Sequence, residues 1–111
     1  MVGKKVYLQP RSTVLESVND IVELLRGKST VGDTANGKIG TRLSMYGLQW
    51  EVRFTVADLG RNRSRVAIEI TGERNDKKKE ILSMFALLDS MLVAAAEIEF
   101  EDDYGELRGT L

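Results

Sequence analysis

Residues 48–56 alternate apolar and polar side chains without a break: Leu48-Gln49-Trp50-Glu51-Val52-Arg53-Phe54-Thr55-Val56. Because successive side chains of a β-strand point to opposite faces, this strand has one apolar face and one polar face. Such a strand is typical of an antiparallel sheet that is covered on one side and solvated on the other. The stretch therefore predicts a sheet with a single buried face.

Two further strands are predicted on either side of this stretch. Residues 38–45 precede a turn at Tyr46-Gly47, and residues 65–71 follow a turn at residues 60–63. Both strands alternate apolar and polar side chains, so they extend the same buried face. The predicted inner face comprises Leu48, Trp50, Val52, Phe54, Val66, Ile68 and Ile70.

Two helices and a first strand complete the predicted fold. Residues 4–9 read as a strand, and residues 13–26 as an amphipathic helix that begins with a capping box at Thr13 and Glu16. Residues 27–37 are rich in turn formers and are predicted to be a loop. A second helix is expected from residue 75 or 76 to about residue 97. The result is an α+β fold of order β-α-β-β-β-α, in which two helices cover one face of an antiparallel sheet of three to four strands.

The composition excludes several kinds of chemistry. The chain has 111 residues and contains neither histidine nor cysteine. It therefore lacks the commonest general base, the commonest transition-metal ligand and any thiol nucleophile. Neither a Gly-x-Gly-x-x-Gly nor a Walker pattern is present. We expect no catalytic residues, no metal site and no cofactor.

Charge is distributed unevenly along the chain. Residues 1–96 carry 15 basic and 11 acidic side chains, whereas residues 97–111 carry one basic and six acidic. We expect a single domain over residues 1–96 and an acidic C-terminal tail over residues 97–111. The longest apolar run, residues 92–96, is far shorter than the roughly 20 residues of a membrane span. The expectation is a cytoplasmic protein with no membrane partner.

Aromatic side chains on the inner face have two interpretations. Trp50, Phe54, Tyr46 and Phe85 either line a pocket for a small apolar ligand or simply form the core of the domain.

Asp89 lies within the apolar second helix, where an unpaired buried carboxylate is costly. It either marks the solvent-facing side of the helix or grips a ligand.

The second helix is apolar around most of its circumference, which predicts that it is covered on more than one side. One sheet face and one short helix do not suffice for this. We therefore expect a homodimer, with an interface that includes Met84, Leu87, Leu88 and Met91. Together with the composition, this predicts a small non-catalytic binding or interaction module.

Residues 4–96 resemble the helix-grip superfamily, which includes START, polyketide-cyclase and Bet v 1-like domains. The resemblance rests on the order of elements and on residues 48–56 and 65–70, which look like the late sheet of that superfamily. It implies a long C-terminal helix laid across an antiparallel sheet, with an apolar ligand pocket between them. The superfamily usually has about six strands between its helices, whereas three are predicted here.

An alternative resemblance is to the double-stranded-RNA-binding domain, which has a helix, three strands and a helix in the same order as residues 13–96. That family opens its second helix with lysines, and Lys77, Lys78 and Lys79 stand in that place here. The resemblance implies phosphate contacts from these lysines, joined by Arg61, Arg63 and Arg65. The Tyr46-Gly47 turn has no room for that family's groove-reading loop. Because the net charge of residues 1–96 is only +4 and the acidic tail opposes it, we expect no binding to duplex RNA at physiological salt.

Overall fold

The alternating stretch forms part of the longest strand of a six-stranded antiparallel sheet. The computed structural model describes residues 1–45, 48–71 and 78–101. Their strands are β1 (Val2–Tyr7), β2 (Lys28–Asp33), β3 (Lys38–Met45), β4 (Leu48–Gly60), β5 (Arg63–Thr71) and β6 (Glu99–Glu101). The helices are α1 (Arg11–Leu24) and α2 (Lys78–Asp89), and a short 3-10 turn spans Thr34–Asn36. The strand order across the sheet is β2-β3-β4-β5-β1-β6.

The register of the central strands confirms the predicted inner face. Val52 stands opposite Ile70, and Phe54 stands opposite Ile68, so these side chains share one face of β4 and β5. Strand β3 continues this face, since Leu43 pairs with Trp50. Every predicted inner-face residue whose side chain is described is buried: Trp50, Val52, Phe54, Val66, Ile68 and Ile70. The side chain of Leu48 lies outside the described part of the structure.

Both helices pack on this inner face, as the sequence predicts. A Cβ atom added to Gly3 of β1 would lie 2.6 Å from Cγ2 of Ile81, which places α2 directly over β1. A Cβ atom added to Gly27 would meet Val22 of α1 as well as Leu43 of β3. The α+β class and the antiparallel sheet covered by two helices are therefore confirmed.

The number of strands is larger than the predicted three to four, because two segments without an alternating pattern also pair. Residues 27–37, predicted to be a loop, contain β2, which pairs with β3 from Lys28–Arg42 to Asp33–Lys38 with a register shift between Ser29 and Val31. An edge strand is held by backbone hydrogen bonds on one side only, so it needs no apolar period. Four strands, rather than three, thus lie between the helices.

The helix boundaries also differ from the predicted ones. Helix α1 begins two residues early, with Pro10 as its N-cap and no side-chain cap. The Thr13 amide donates to the Pro10 carbonyl at 3.1 Å, so Thr13 is already in the first turn and the predicted capping box is wrong. Helix α2 ends at Asp89 rather than near residue 97. Beyond it the chain pairs with β1, where the Ala95 amide donates to the Val6 carbonyl at 2.9 Å.

The acidic segment begins as part of the sheet. Strand β6 pairs with β1 from Val2–Glu101 to Lys4–Glu99, and Phe100 is half-buried against the core. The domain therefore extends past residue 96, whereas residues 102–111 lie outside the described residues. None of the described helices is long and apolar enough to cross a membrane.

Candidate binding site on the open face of the sheet

The aromatic side chains proposed for an apolar pocket occupy the core instead. Trp50, Phe54 and Phe85 are at most 2% exposed and pack together with the inner faces of both helices. Their burial supports the second of the two interpretations, in which they stabilise the fold. Tyr46, the fourth aromatic residue of that set, lies outside the described residues.

Asp89 is neither unpaired nor aimed at a ligand cavity. Its Oδ1 atom accepts a hydrogen bond from the Tyr7 hydroxyl at 2.8 Å, and its Oδ2 atom lies 2.7 Å from Lys5 Nζ. Burial raises the pKa of Tyr7, and the hydrogen bond to Asp89 and its negative charge raise it further. Because Lys5 and Tyr7 belong to β1, Asp89 ties the C-terminal end of α2 to that strand.

The face of the sheet opposite the helices is polar and charged. Three ion pairs cross between its strands: Arg42–Glu51 at 3.3 Å, Arg53–Glu69 at 4.0 Å and Lys4–Glu101 at 3.2 Å. Exposed pairs of this kind contribute about 0–1 kcal/mol each and leave their side chains mobile. This open face is therefore free to exchange internal contacts for contacts with a ligand.

A depression lies on the open face above Gly40 of β3. Gly40 alternates with Lys38 and Arg42 on this side of the strand and stands opposite Arg53 of β4. Since glycine has no side chain, the longer neighbours surround a cavity of about 360 Å³. Its side-chain lining on this face comes from Lys38, Glu51, Arg53 and Thr55.

Polar donors converge on this depression, which we call the Gly40 pocket. Lys38 stands directly opposite Thr55, and Arg53 precedes Thr55 by two residues on the same face of β4. Thr55 is half-buried. Within the described residues, the side chains of Lys38 and Thr55 form no hydrogen bond or ion pair. Lys38 and Thr55 are thus available to a bound molecule, and Arg53 can bind it by giving up its 4.0 Å contact with Glu69.

The sequence alone did not identify the Gly40 pocket. Lys38, Arg53 and Thr55 stand at polar positions of the alternating stretches, which does not distinguish them from other solvated side chains. The available signal was a glycine in place of a long side chain within the alternating stretch Lys38-Ile39-Gly40-Thr41-Arg42. Whether this glycine forms a pocket depends on the register of β3 against β4, which the local sequence pattern does not indicate.

The basic residues of the alternative hypothesis lie at opposite ends of the sheet. Arg61, Arg63 and Arg65 are exposed at the turn between β4 and β5 and just after it. Lys78 and Lys79 are exposed at the start of α2, near the end of β1 that carries Gly3. Ile68, the partner of Gly3, is five residues from Arg63, or about 17 Å along the strand. Lys77 lies outside the described residues.

Most of the predicted dimer interface is buried within the subunit. Met84 and Leu88 belong to the core, and Leu87 is half-buried against it. Met91, which follows the end of α2, is the exposed member of the set. The homodimer stays a prediction, but Met84 and Leu88 have almost no surface to offer a partner.

The described residues contain no group of three or more Asp, Glu, His or Cys side chains arranged to hold a metal ion. No protein-family model matches the sequence, and no curated protein is significantly similar to it.

Proposed function

We propose that the protein is a small non-catalytic binding module that holds a small polar ligand in the Gly40 pocket. The observation that carries this proposal is the pocket itself, a cavity of about 360 Å³ floored by a glycine and bordered by charged side chains. Ligand sites typically have volumes of about 300–1,000 Å³. The lack of histidine and cysteine supports a binding function over a catalytic one.

The division of the sheet into two faces supports the same proposal. The inner face is used for stability, because both helices and the large aromatic side chains pack there. The open face carries exposed charged side chains and a half-buried hydroxyl group. A ligand that binds on this face does not have to disturb the core.

A screen of small polar and apolar compounds, followed by amide chemical shifts of ¹⁵N-labelled protein, tests the proposal. We expect polar compounds to shift the amides of residues 38–40 and 51–55. Gly40→Val fills the floor of the pocket and is expected to abolish these shifts. Leu24→Ser, at an exposed position of α1, is the matched control and should leave them intact.

Two results would contradict the proposal. One is a set of ligands that shifts only amides of α1 and α2. The other is a Gly40→Val variant that keeps a native circular dichroism spectrum and binds as tightly as the wild type. Thr55→Leu, which narrows the pocket from its other side, repeats the test if Gly40→Val does not fold.

We also propose that copies of the chain associate, through a surface other than the buried side of α2. The Leu8 amide donates to the Val93 carbonyl at 2.8 Å, so these two residues are adjacent, and Met91 lies two residues away along the chain. Their side chains are between 44% and 56% exposed. We call Leu8, Met91 and Val93 the corner patch. Three large apolar side chains together favour burial against a partner.

Membership of the helix-grip superfamily remains a proposal as well.

A further inference from the structure

We propose that the Gly40 pocket recognises the phosphate group of a small molecule. This inference rests on the proposed function and specifies the chemical class of its ligand. The groups that would bind the phosphate are Lys38, Arg53 and Thr55, which surround a glycine floor.

The three donors come from both strands that border the pocket. Lys38 lies on β3, and Arg53 and the half-buried Thr55 lie two residues apart on the same face of β4. An arginine guanidinium donates in pairs to the oxygens of an anion, while lysine supplies a point charge. A phosphate group has three terminal oxygens that accept such bonds at once, whereas a carboxylate has two. The arrangement therefore fits a phosphate better than a carboxylate.

Two acidic residues near the pocket are paired with arginines, one of which is the proposed donor Arg53. Glu51 borders the pocket, but its Oε1 atom lies 3.3 Å from Arg42 Nη2, which offsets its charge. Glu69 lies beside Arg53, but the contact of 4.0 Å is at the limit of an ion pair. The Arg53 side chain is 75% exposed, so it is free to turn toward a ligand. An anion that binds Arg53 therefore has to replace only this long contact.

The shallow position of the pocket sets the expected strength of binding. Donors that stay in contact with water gain less from an anion than buried donors do. We therefore expect binding to weaken as salt is added, because exposed charges are screened. A ligand larger than free phosphate would add contacts along the neutral floor between β3 and β4.

Titration of ¹⁵N-labelled protein with inorganic phosphate, at constant ionic strength maintained with sodium chloride, tests the inference. We expect saturable shifts at the amides of residues 38–40 and 53–55. Lys38→Gln and Arg53→Gln should each weaken phosphate binding about tenfold, the effect of losing one charge-assisted hydrogen bond. Arg63→Gln removes one positive charge from the first residue of β5, outside the pocket, and should leave the affinity unchanged.

Three outcomes would overturn the inference. Equal weakening by Arg63→Gln would show a general effect of charge, and equal affinity for acetate would show that phosphate is not distinguished. A wild-type protein that binds screening compounds at residues 38–40 and 51–55, yet shows no shifts with phosphate, would leave the binding module standing and reject the phosphate class. If neither phosphate nor any screening compound shifts these amides, both proposals fail.

Discussion

Asp89 shows that the role of a side chain can depend on partners far away in the sequence. It is the last residue of the apolar helix α2, where a carboxylate is unexpected. The partners that satisfy it, Lys5 and Tyr7, are more than 80 residues away in the chain. Both partners are on β1, so the carboxylate connects the last turn of α2 to a strand of the sheet.

Replacing Asp89 by alanine should destabilise the protein by about 1.5–3 kcal/mol, because the buried Tyr7 hydroxyl loses its acceptor and Lys5 loses its counter-ion. Asp89→Asn should cost less, since an amide oxygen still accepts from Tyr7. Urea denaturation measures both changes. Asp20→Asn, at an exposed position of α1, serves as the control, and an equal loss of stability there would refute the assigned role.

The buried hydroxyl of Tyr7 also predicts how stability depends on pH. The pKa of Tyr7 is raised in the folded protein, whereas in the unfolded chain it is near 10. The unfolded chain therefore releases this proton first. The contribution of Tyr7 is complete below pH 10 and is lost as pH rises above it, by about 1.4 kcal/mol per pH unit. The free energy of unfolding should fall less steeply above pH 10 in Tyr7→Phe, and parallel curves for the two proteins would disprove the prediction.

Among the structural elements, β1 and α2 pack closely together, and Gly3 permits this contact. A Cβ atom at this position would lie 2.6 Å from Ile81 and 3.1 Å from Phe85, both of which are fully buried. A methyl group there forces the helix away from the strand. The fit between these two elements therefore depends on a residue without a side chain.

Gly3→Ala is expected to destabilise the protein by about 1–3 kcal/mol, the usual cost of inserting a methyl group into a packed core. Ser44→Thr is the control, because it adds a methyl group to the same sheet at an exposed position of β3. Its effect should stay within about 0.5 kcal/mol. Thermal or urea unfolding measures both variants, and equal destabilisation would contradict the packing described for Gly3.

The strands with an alternating apolar and polar sequence were predicted. The strands that form only by pairing with distant segments were not. Strands β3, β4 and β5 each have an apolar face of period two, because one side of each is buried. Strand β2 has no such period, since it joins the sheet through backbone bonds at an edge. Strand β6 is short and acidic, and only its pairing with β1 makes it a strand. The Gly40 pocket was missed for the same reason, because it forms only when β3 and β4 are aligned.

For the molecule as a whole, one subunit covers more of the apolar surface of α2 than the sequence indicates. The helix was expected to run to about residue 97, with more apolar surface than one subunit can cover. It ends at Asp89, and Ile81, Met84, Phe85 and Leu88 are all covered within the subunit. Met91 and Val93 follow the helix and carry exposed apolar surface beside Leu8. The corner patch is therefore the surface that favours association between copies of the chain.

Light scattering at micromolar concentration should give a mass of twice 12.4 kDa if the corner patch meets its copy across a twofold axis. Each exposed large apolar side chain gains about 1.5–3 kcal/mol on full burial, so one charge in the patch should dissociate the dimer. Met91→Glu and Val93→Glu are therefore expected to be monomers. Leu24→Glu is the control, because Leu24 is 63% exposed on α1 outside the patch. Met84→Glu is unsuitable, since a charge at that buried position would unfold the subunit. A wild-type mass of 12.4 kDa, or dissociation caused equally by Leu24→Glu, would reject the corner patch as an interface.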